Sequence, residues 1–281
     1  MLQLVDQAVG LRRGRGSGAK VYRLRRPAPE STRTVAVTSG KGGVGKTQLS
    51  ANLGIAMARQ GHRVILFDAD LGLASLDLAL GLSPRWDLRS VLRGDRKIQD
   101  IVVPGPGGVF LLPAFPGRYE MANLGQSERS RLIAAVREVA RDFDVLIIDT
   151  GAGINSNAVG FASVADDVLL VTTPDPTSLR DAYAMAKVLN RRSGLERILL
   201  VGNQAQAAEG ARIHGELKRI AARFLELDLC YLGCIPPDPA IVDGVRAGQP
   251  VTLRTPDSLG ARAISAIARR LDSGPAPREA S

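Results

Sequence analysis

Near-continuous apolar runs alternate with stretches of helical periodicity from Thr34 onward. That alternation predicts a doubly wound α/β fold, a mostly parallel sheet with helices on both faces. A glycine-rich turn joins the first apolar run to the first helical stretch, as expected where a parallel strand hands over to a helix. Two further apolar runs end in aspartate, at Asp68 and Asp149, where open α/β sheets gather their ligands. With 281 residues, the chain can hold one large domain with its own core and a modest appendage.

Residues 2–12 read as a short amphipathic helix, with Leu2, Val5 and Val9 at one spacing and Leu4, Ala8 and Leu11 at another. Residues 14–33 read as a flexible basic linker, because Gly14, Gly16, Gly18 and the Pro27-Ala28-Pro29 segment disfavour regular structure. Strands are expected at 35–39, 64–68, 109–113, 145–149, 167–173, 198–203 and 230–235. Helices are expected at 48–60, 127–141, 178–191, 211–224 and 259–271. The last of these has Leu259, Ala263, Ile264, Ile267, Ala268 and Leu271 on one stripe, which suits a core-facing helix or a membrane-surface one. A tail rich in Pro and small residues follows from Asp272.

The formal charge is +9, of which residues 1–33 carry +6, so most of it belongs to the amino-terminal arm. Nucleic acid, anionic lipid and a solvated linker all fit such an arm. No apolar run approaches the ~20 residues of a membrane span, and the first residues lack a secretory leader pattern, so a cytoplasmic protein is expected. The cysteines, Cys230 and Cys234, lack zinc-site spacing and read as two buried thiols in a strand. His62 and His214 stand apart from any metal or catalytic pattern and read as surface residues.

The glycine-rich turn, Gly40-Lys41-Gly42-Gly43-Val44-Gly45-Lys46-Thr47, fits the phosphate-binding pattern GxxxxGK[ST]. Glycines let consecutive backbone N–H groups converge on phosphate oxygens, Lys46 can reach the β- and γ-phosphates, and the Thr47 hydroxyl can take a Mg²⁺ position. Asp68 and Asp70 suit a magnesium shell and the positioning of a nucleophilic water. Asp149, at the end of Val145-Leu146-Ile147-Ile148, suits a magnesium-orienting acid followed by small residues able to sense a γ-phosphate. Lys41 is one lysine more than the pattern requires, and a second ammonium there could neutralise developing charge in its own site or across a dimer interface.

The wording KGGVGKT resembles the deviant Walker A loop of the MinD/ParA ATPases, and the resemblance covers about residues 34–271. It implies a P-loop NTPase of the SIMIBI type that binds ATP and Mg²⁺ and forms an ATP-dependent homodimer. By that resemblance Lys41 reaches the partner subunit's nucleotide and Asp70 aligns the attacking water, making these the two catalytic residues. Gly40 to Thr47 with Gln48 would line the phosphates, and Thr47, Asp68 and Asp149 would hold Mg²⁺. Asn203 would read the base, with Pro236 and Pro237 beside the adenine. An amide suits the N6/N1 edge of adenine, and no NKxD-like segment is present to read guanine.

Within the family, Asp70-Leu71-Gly72-Leu73-Ala74-Ser75-Leu76-Asp77 and the segment from Thr173 to Tyr183 are similar to the flagellar-number regulators of the FlhG (FleN) branch. Asp6-Gln7-Ala8-Val9-Gly10-Leu11-Arg12 fits the DQAxxLR motif with which that branch engages an SRP-type GTPase, FlhF. Asp6, Gln7, Ala8, Leu11 and Arg12 are therefore the expected partner-binding residues. The resemblance implies residues 1–13 as a partner-binding helix, 14–33 as linker, 34–271 as the ATPase domain and 272–281 as tail. Flagellar switch proteins, a flagellar transcription activator and transient contact with the inner membrane are its further implied partners. A ParA-type DNA-partition ATPase and a MinD-type division-site regulator are the competing readings. An iron–sulfur reductase is disfavoured, because neither cysteine lies near a switch segment.

Overall fold

The computed structural model describes residues 31–114 and 124–274. The partner motif at Asp6, Gln7, Ala8, Leu11 and Arg12, nearly all of the expected linker, and residues 275–281 lie outside the described residues.

Eight strands form one sheet: β1 (Arg33–Thr38), β2 (Val64–Ala69), β3 (Val103–Pro104), β4 (Val109–Leu112), β5 (Val145–Thr150), β6 (Asp167–Thr172), β7 (Arg197–Asn203) and β8 (Asp228–Ile235). Their order is β3-β4-β2-β5-β1-β6-β7-β8, and every pairing is parallel except β3 with β4. The α-helices are α1 (Lys46–Arg59), α2 (Leu76–Ala79), α3 (Leu88–Leu92), α4 (Gln126–Ala140), α5 (Ser156–Ala162), α6 (Pro176–Ser193), α7 (Ala207–Phe224), α8 (Pro239–Ala247), α9 (Val251–Arg254) and α10 (Leu259–Asp272).

Strands buried on both faces explain the continuous apolar runs. On β5, Leu146 and Ile148 join the core under α4, α5, α6 and α7, while Val145 and Ile147 join the core under α1 and α10. Phe67 and Phe161 meet edge to face in the first of these cores, with ring centroids 5.6 Å apart.

The expected strands and long helices are present, with shifted ends. α1 begins at Lys46, so the phosphate-loop Lys and Thr occupy its first turn. β1 begins at Arg33, inside the stretch expected to be linker, and the Arg33 guanidinium pairs with Asp167 at 2.7 Å. The edge strand β3 and the helices α2, α3, α5, α8 and α9 were not expected. All are short, so none offers the periodic stretch that a pattern reading needs.

Two expectations, about the cysteines and the histidines, are corrected. Cys230 and Cys234 are half-buried free thiols rather than fully buried ones. A bulge pairs Tyr231 with Leu200 and Gly233 with Val201, skipping Leu232. It turns the two cysteines toward opposite cores, Cys230 to the α1/α10 side and Cys234 to the other. His62 is half-buried and lies 2.9 Å from Asp272, and His214 stacks on Tyr231 while its Nε2 meets the Leu229 carbonyl at 2.7 Å. The core-facing reading of the last helix agrees with the structure: in α10, Ile264, Ile267, Ala268 and Leu271 are buried against α1 and β8. Of its stripe, Leu259 alone is strongly exposed. Among the described residues, no helix is long and apolar enough to cross one.

Candidate nucleotide-binding site

The phosphate loop spans the gap between β1 and α1. Gly43 (φ 77°) and Gly45 (φ 94°) adopt the left-handed region that only glycine enters without strain. Gly45 is also the residue that precedes α1, and no side chain caps that helix. The first-turn N–H groups are thereby left to an anion, and the helix dipole favours one there.

Two distant segments hold the loop in shape. The Asn203 Nδ2 donates to the Val44 carbonyl at 2.7 Å, and a Cβ on Gly45 would collide with that amide. The Asn203 Oδ1 accepts from the Gln204 N–H at 3.0 Å, and Gln204 takes φ 55°. At the other end of the loop, a Cβ on Gly40 would collide with the Asp181 carbonyl of α6. The sequence reading assigned Asn203 to the base. In the structure its amide ties the glycine-rich loop to the end of β7.

Asp68 and Asp149 are register partners on β2 and β5 and are almost fully buried. Burial, reinforced by Asp149, pushes the Asp68 carboxyl well above the ordinary carboxylate range. Its Oδ1 accepts from the Asp70 N–H at 3.1 Å and its Oδ2 from the Ser75 and Leu76 N–H groups at 2.8 Å each. Asp68 thus holds the 70–76 loop in place. Burial raises Asp149 as well, against hydrogen bonds from Thr47 and Ser50 and the charge of Lys46. The Ser50 Oγ donates to Asp149 at 2.8 Å.

Lys46 is buried, and desolvation lowers its pKa against the pull of Asp149 and Asp70. A Cβ on Gly151 would stand 3.4 Å from the Asp70 Oδ1, which puts that carboxylate against the segment after β5. Two acids held above their ordinary range beside one desolvated ammonium make a donor set that favours a divalent cation and a polyanion together.

Lys41 points out of the loop rather than into it. Its Nζ donates to the Thr177 Oγ1 at 2.6 Å and lies 3.3 Å from the Asp175 Oδ2. Asp175 caps α6 by accepting from the Thr177 and Ser178 N–H groups. The Thr177 hydroxyl, these amides and Lys41 hold its carboxyl far below the usual range.

Beyond Asn203 opens a cleft of about 530 Å³, lined by Gln204, Pro236, Pro237, Asp238 and Ile241 among others. Pro236 and Pro237, expected beside the adenine, line this cleft together with Asn203. Gln48, in the first turn of α1, accepts at its carbonyl from the Asn52 side chain at 2.7 Å.

Comparison with known proteins decides the family. The family described as CobQ/CobB/MinD/ParA nucleotide binding domain matches residues 35–272, nearly all of the described chain. The chain belongs to this MinD/ParA family. It is 42% identical to the antiactivator FleN of Pseudomonas aeruginosa over 86% of this chain and 87% of that protein. It is 34% identical to the flagellum site-determining protein YlxH of Helicobacter pylori over 86% of this chain and 83% of that one. Among solved structures, it superposes on the septum site-determining protein MinD of Pyrococcus horikoshii, complexed with Mg-ADP. That match has a TM-score of 0.70 and 27% identity, covering 86% of this chain and 96% of the other. The mostly parallel sheet and the phosphate loop are those of a MinD/ParA nucleotide-binding domain.

The structure brings Lys46, Thr47, Asp68, Asp70 and Asp149 around one loop and sets Lys41 at its rim. Three contributors escaped the sequence reading: Ser50, Asp175 and Thr177. Ser50 stands one turn beyond Lys46 on the same helix face, a spacing that could have revealed it. The Lys41 to Asp175 contact joins residues 134 positions apart, and nothing local signals it.

Proposed function

We propose that this chain is an ATP-dependent, dimerising molecular switch with slow ATPase chemistry that regulates flagellar number and placement. The convergence of Lys46, Asp70 and Asp149 on an uncapped, glycine-built helix start is the observation that carries the nucleotide reading. The likeness to FleN and to YlxH supports the flagellar assignment.

In this reading, the N–H groups of residues 40–48 and the Lys46 ammonium bind the phosphates. The Thr47 hydroxyl and Asp149 hold Mg²⁺, with Ser50 orienting Asp149 and Asp68 adding charge while it fixes the 70–76 loop. The magnesium ion supplies neutralisation of phosphate charge when bound. Asp70 orients the attacking water, and Asn203 with Pro236 and Pro237 recognises adenine. Lys41 leaves Asp175 and Thr177 and crosses to the phosphates of a second copy, so that each site is complete only in the dimer. Two loop states biased by the γ-phosphate then couple nucleotide to partner choice. The partners would be an FlhF-like GTPase, engaged through the motif at Asp6-Gln7-Ala8, and flagellar switch or transcription components.

Steady-state phosphate release from Mg·ATP tests the chemistry. Replacement of Asp70 by Ala should cut turnover by about 100-fold or more while ATP binding persists, as expected for a group used in the reaction rather than in binding. Equal turnover in the variant would remove Asp70 from the reaction.

A further inference from the structure

Past residue 33 the chain carries a net charge of only +3, and residues 85–97 alone supply that amount, with five basic residues against two acidic. That segment, around α3, is one of several short basic stretches of the domain, and it is the one that contains the tryptophan.

Its side chains form an ordered surface. Trp86 is half-buried against the core, and the guanidiniums of Arg96 and Arg85 lie 4.3 Å and 5.1 Å from its ring centroid. Leu92 is 63% exposed between Val91 and Arg93. The turn after α3 is built by Gly94 (φ 78°), with the Gly94 N–H donating to the Val91 carbonyl at 3.0 Å. The Asp95 and Arg96 N–H groups donate to the Ser90 carbonyl at 2.9 and 3.1 Å. Among the described residues, no acid is paired with the Arg85 or Arg93 side chain, and the Asp100 Oδ2 accepts from the Lys97 backbone N–H at 3.2 Å. The backbone beneath these cations is already fixed, which lowers the ordering cost of binding.

We propose that residues 85–97 form a docking surface for an acidic, leucine-bearing segment of a protein partner. Carboxylates would meet Arg93, Arg96 and Lys97, and an aliphatic side chain would cover Leu92 and the Trp86 edge, a pairing of charge steering with one apolar anchor. Nucleic acid fits less well, because Arg85 and Arg96 already occupy the indole that a base would stack on, and an exposed leucine gains nothing against phosphates. A membrane surface fits less well too, since α3 has five residues and one strongly exposed aliphatic, far from the long apolar face of an interfacial helix.

Trp86 is the chain's single tryptophan, so its fluorescence reads the surface directly. The full-length chain would be titrated with a synthetic glutamate-rich helical peptide carrying leucines at i, i+4 spacing, with an all-polar version of the peptide, with duplex DNA, and with vesicles containing anionic lipid. The leucine peptide should shift the emission saturably. Leu92→Ser and the double variant Arg93→Glu, Lys97→Glu should each weaken binding by about tenfold or more. The all-polar peptide should bind about tenfold more weakly than its parent. Circular dichroism of these exposed-site variants should match wild type, and their ATP turnover should be unchanged. Absence of a saturable shift, equal affinity of the variants or of the all-polar peptide, or tighter binding of DNA or vesicles through the same residues would each overturn the proposal.

Discussion

Ser50 shows how a residue without a motif of its own enters a motif's chemistry. Its hydroxyl is one of two that hold Asp149 against the electrostatic push of Asp68 and Asp70. Ser50→Ala should lower ATP turnover by roughly 3–10-fold and raise the Mg²⁺ concentration for half-maximal rate, since loss of a partner that orients a metal-holding group usually costs this much or more. A magnesium titration of turnover checks this, and an unchanged half-maximal concentration would assign Ser50 to packing alone. The phosphate-loop residues were legible because the backbone geometry they serve admits few alternatives: only glycine enters the left-handed region at Gly43 and Gly45 without strain. Asp68 was only half legible. Its place at a strand end signalled the site, but nothing in the chain revealed that three backbone amides would claim its oxygens.

At the scale of elements, periodicity found every long helix and every strand of the sheet's parallel core. It missed α2, α3, α5, α8 and α9, whose short lengths hide any 3.6-residue period. It also could not see the bulge in β8, because a skipped pairing at Leu232 leaves no trace in composition and yet sends Cys230 and Cys234 to different cores. The apolar stripe of the final helix, α10, reads as core-facing, with a lipid surface as the alternative. Burial of Ile264 at 2% exposure places it in the core. Ile264→Ala should therefore destabilise the domain by about 3 kcal/mol, a loss of roughly 5–10 °C in melting temperature. Its sedimentation with anionic vesicles should stay at the wild-type level. A variant with wild-type melting and altered vesicle binding would return α10 to the membrane reading.

For the whole molecule, the sheet brings Asp68 and Asp70 from the end of β2 beside Asp149 from the end of β5, while the start of α6 carries the groups that hold Lys41. In the isolated chain that lysine lies on Asp175 and Thr177, away from the concavity of its own phosphate loop. In the proposed function this rim cation would serve a neighbouring copy, and dimerisation would be the step that completes each site. Solution mass by size-exclusion chromatography with light scattering, in the presence of Mg·ATP, tests this most directly, comparing wild type with Lys41→Ala. The account predicts a dimer for wild type and a monomer for Lys41→Ala, with nucleotide bound in both. A wild type that stays monomeric with ATP bound, or a Lys41→Ala chain that dimerises as well as wild type, would contradict it.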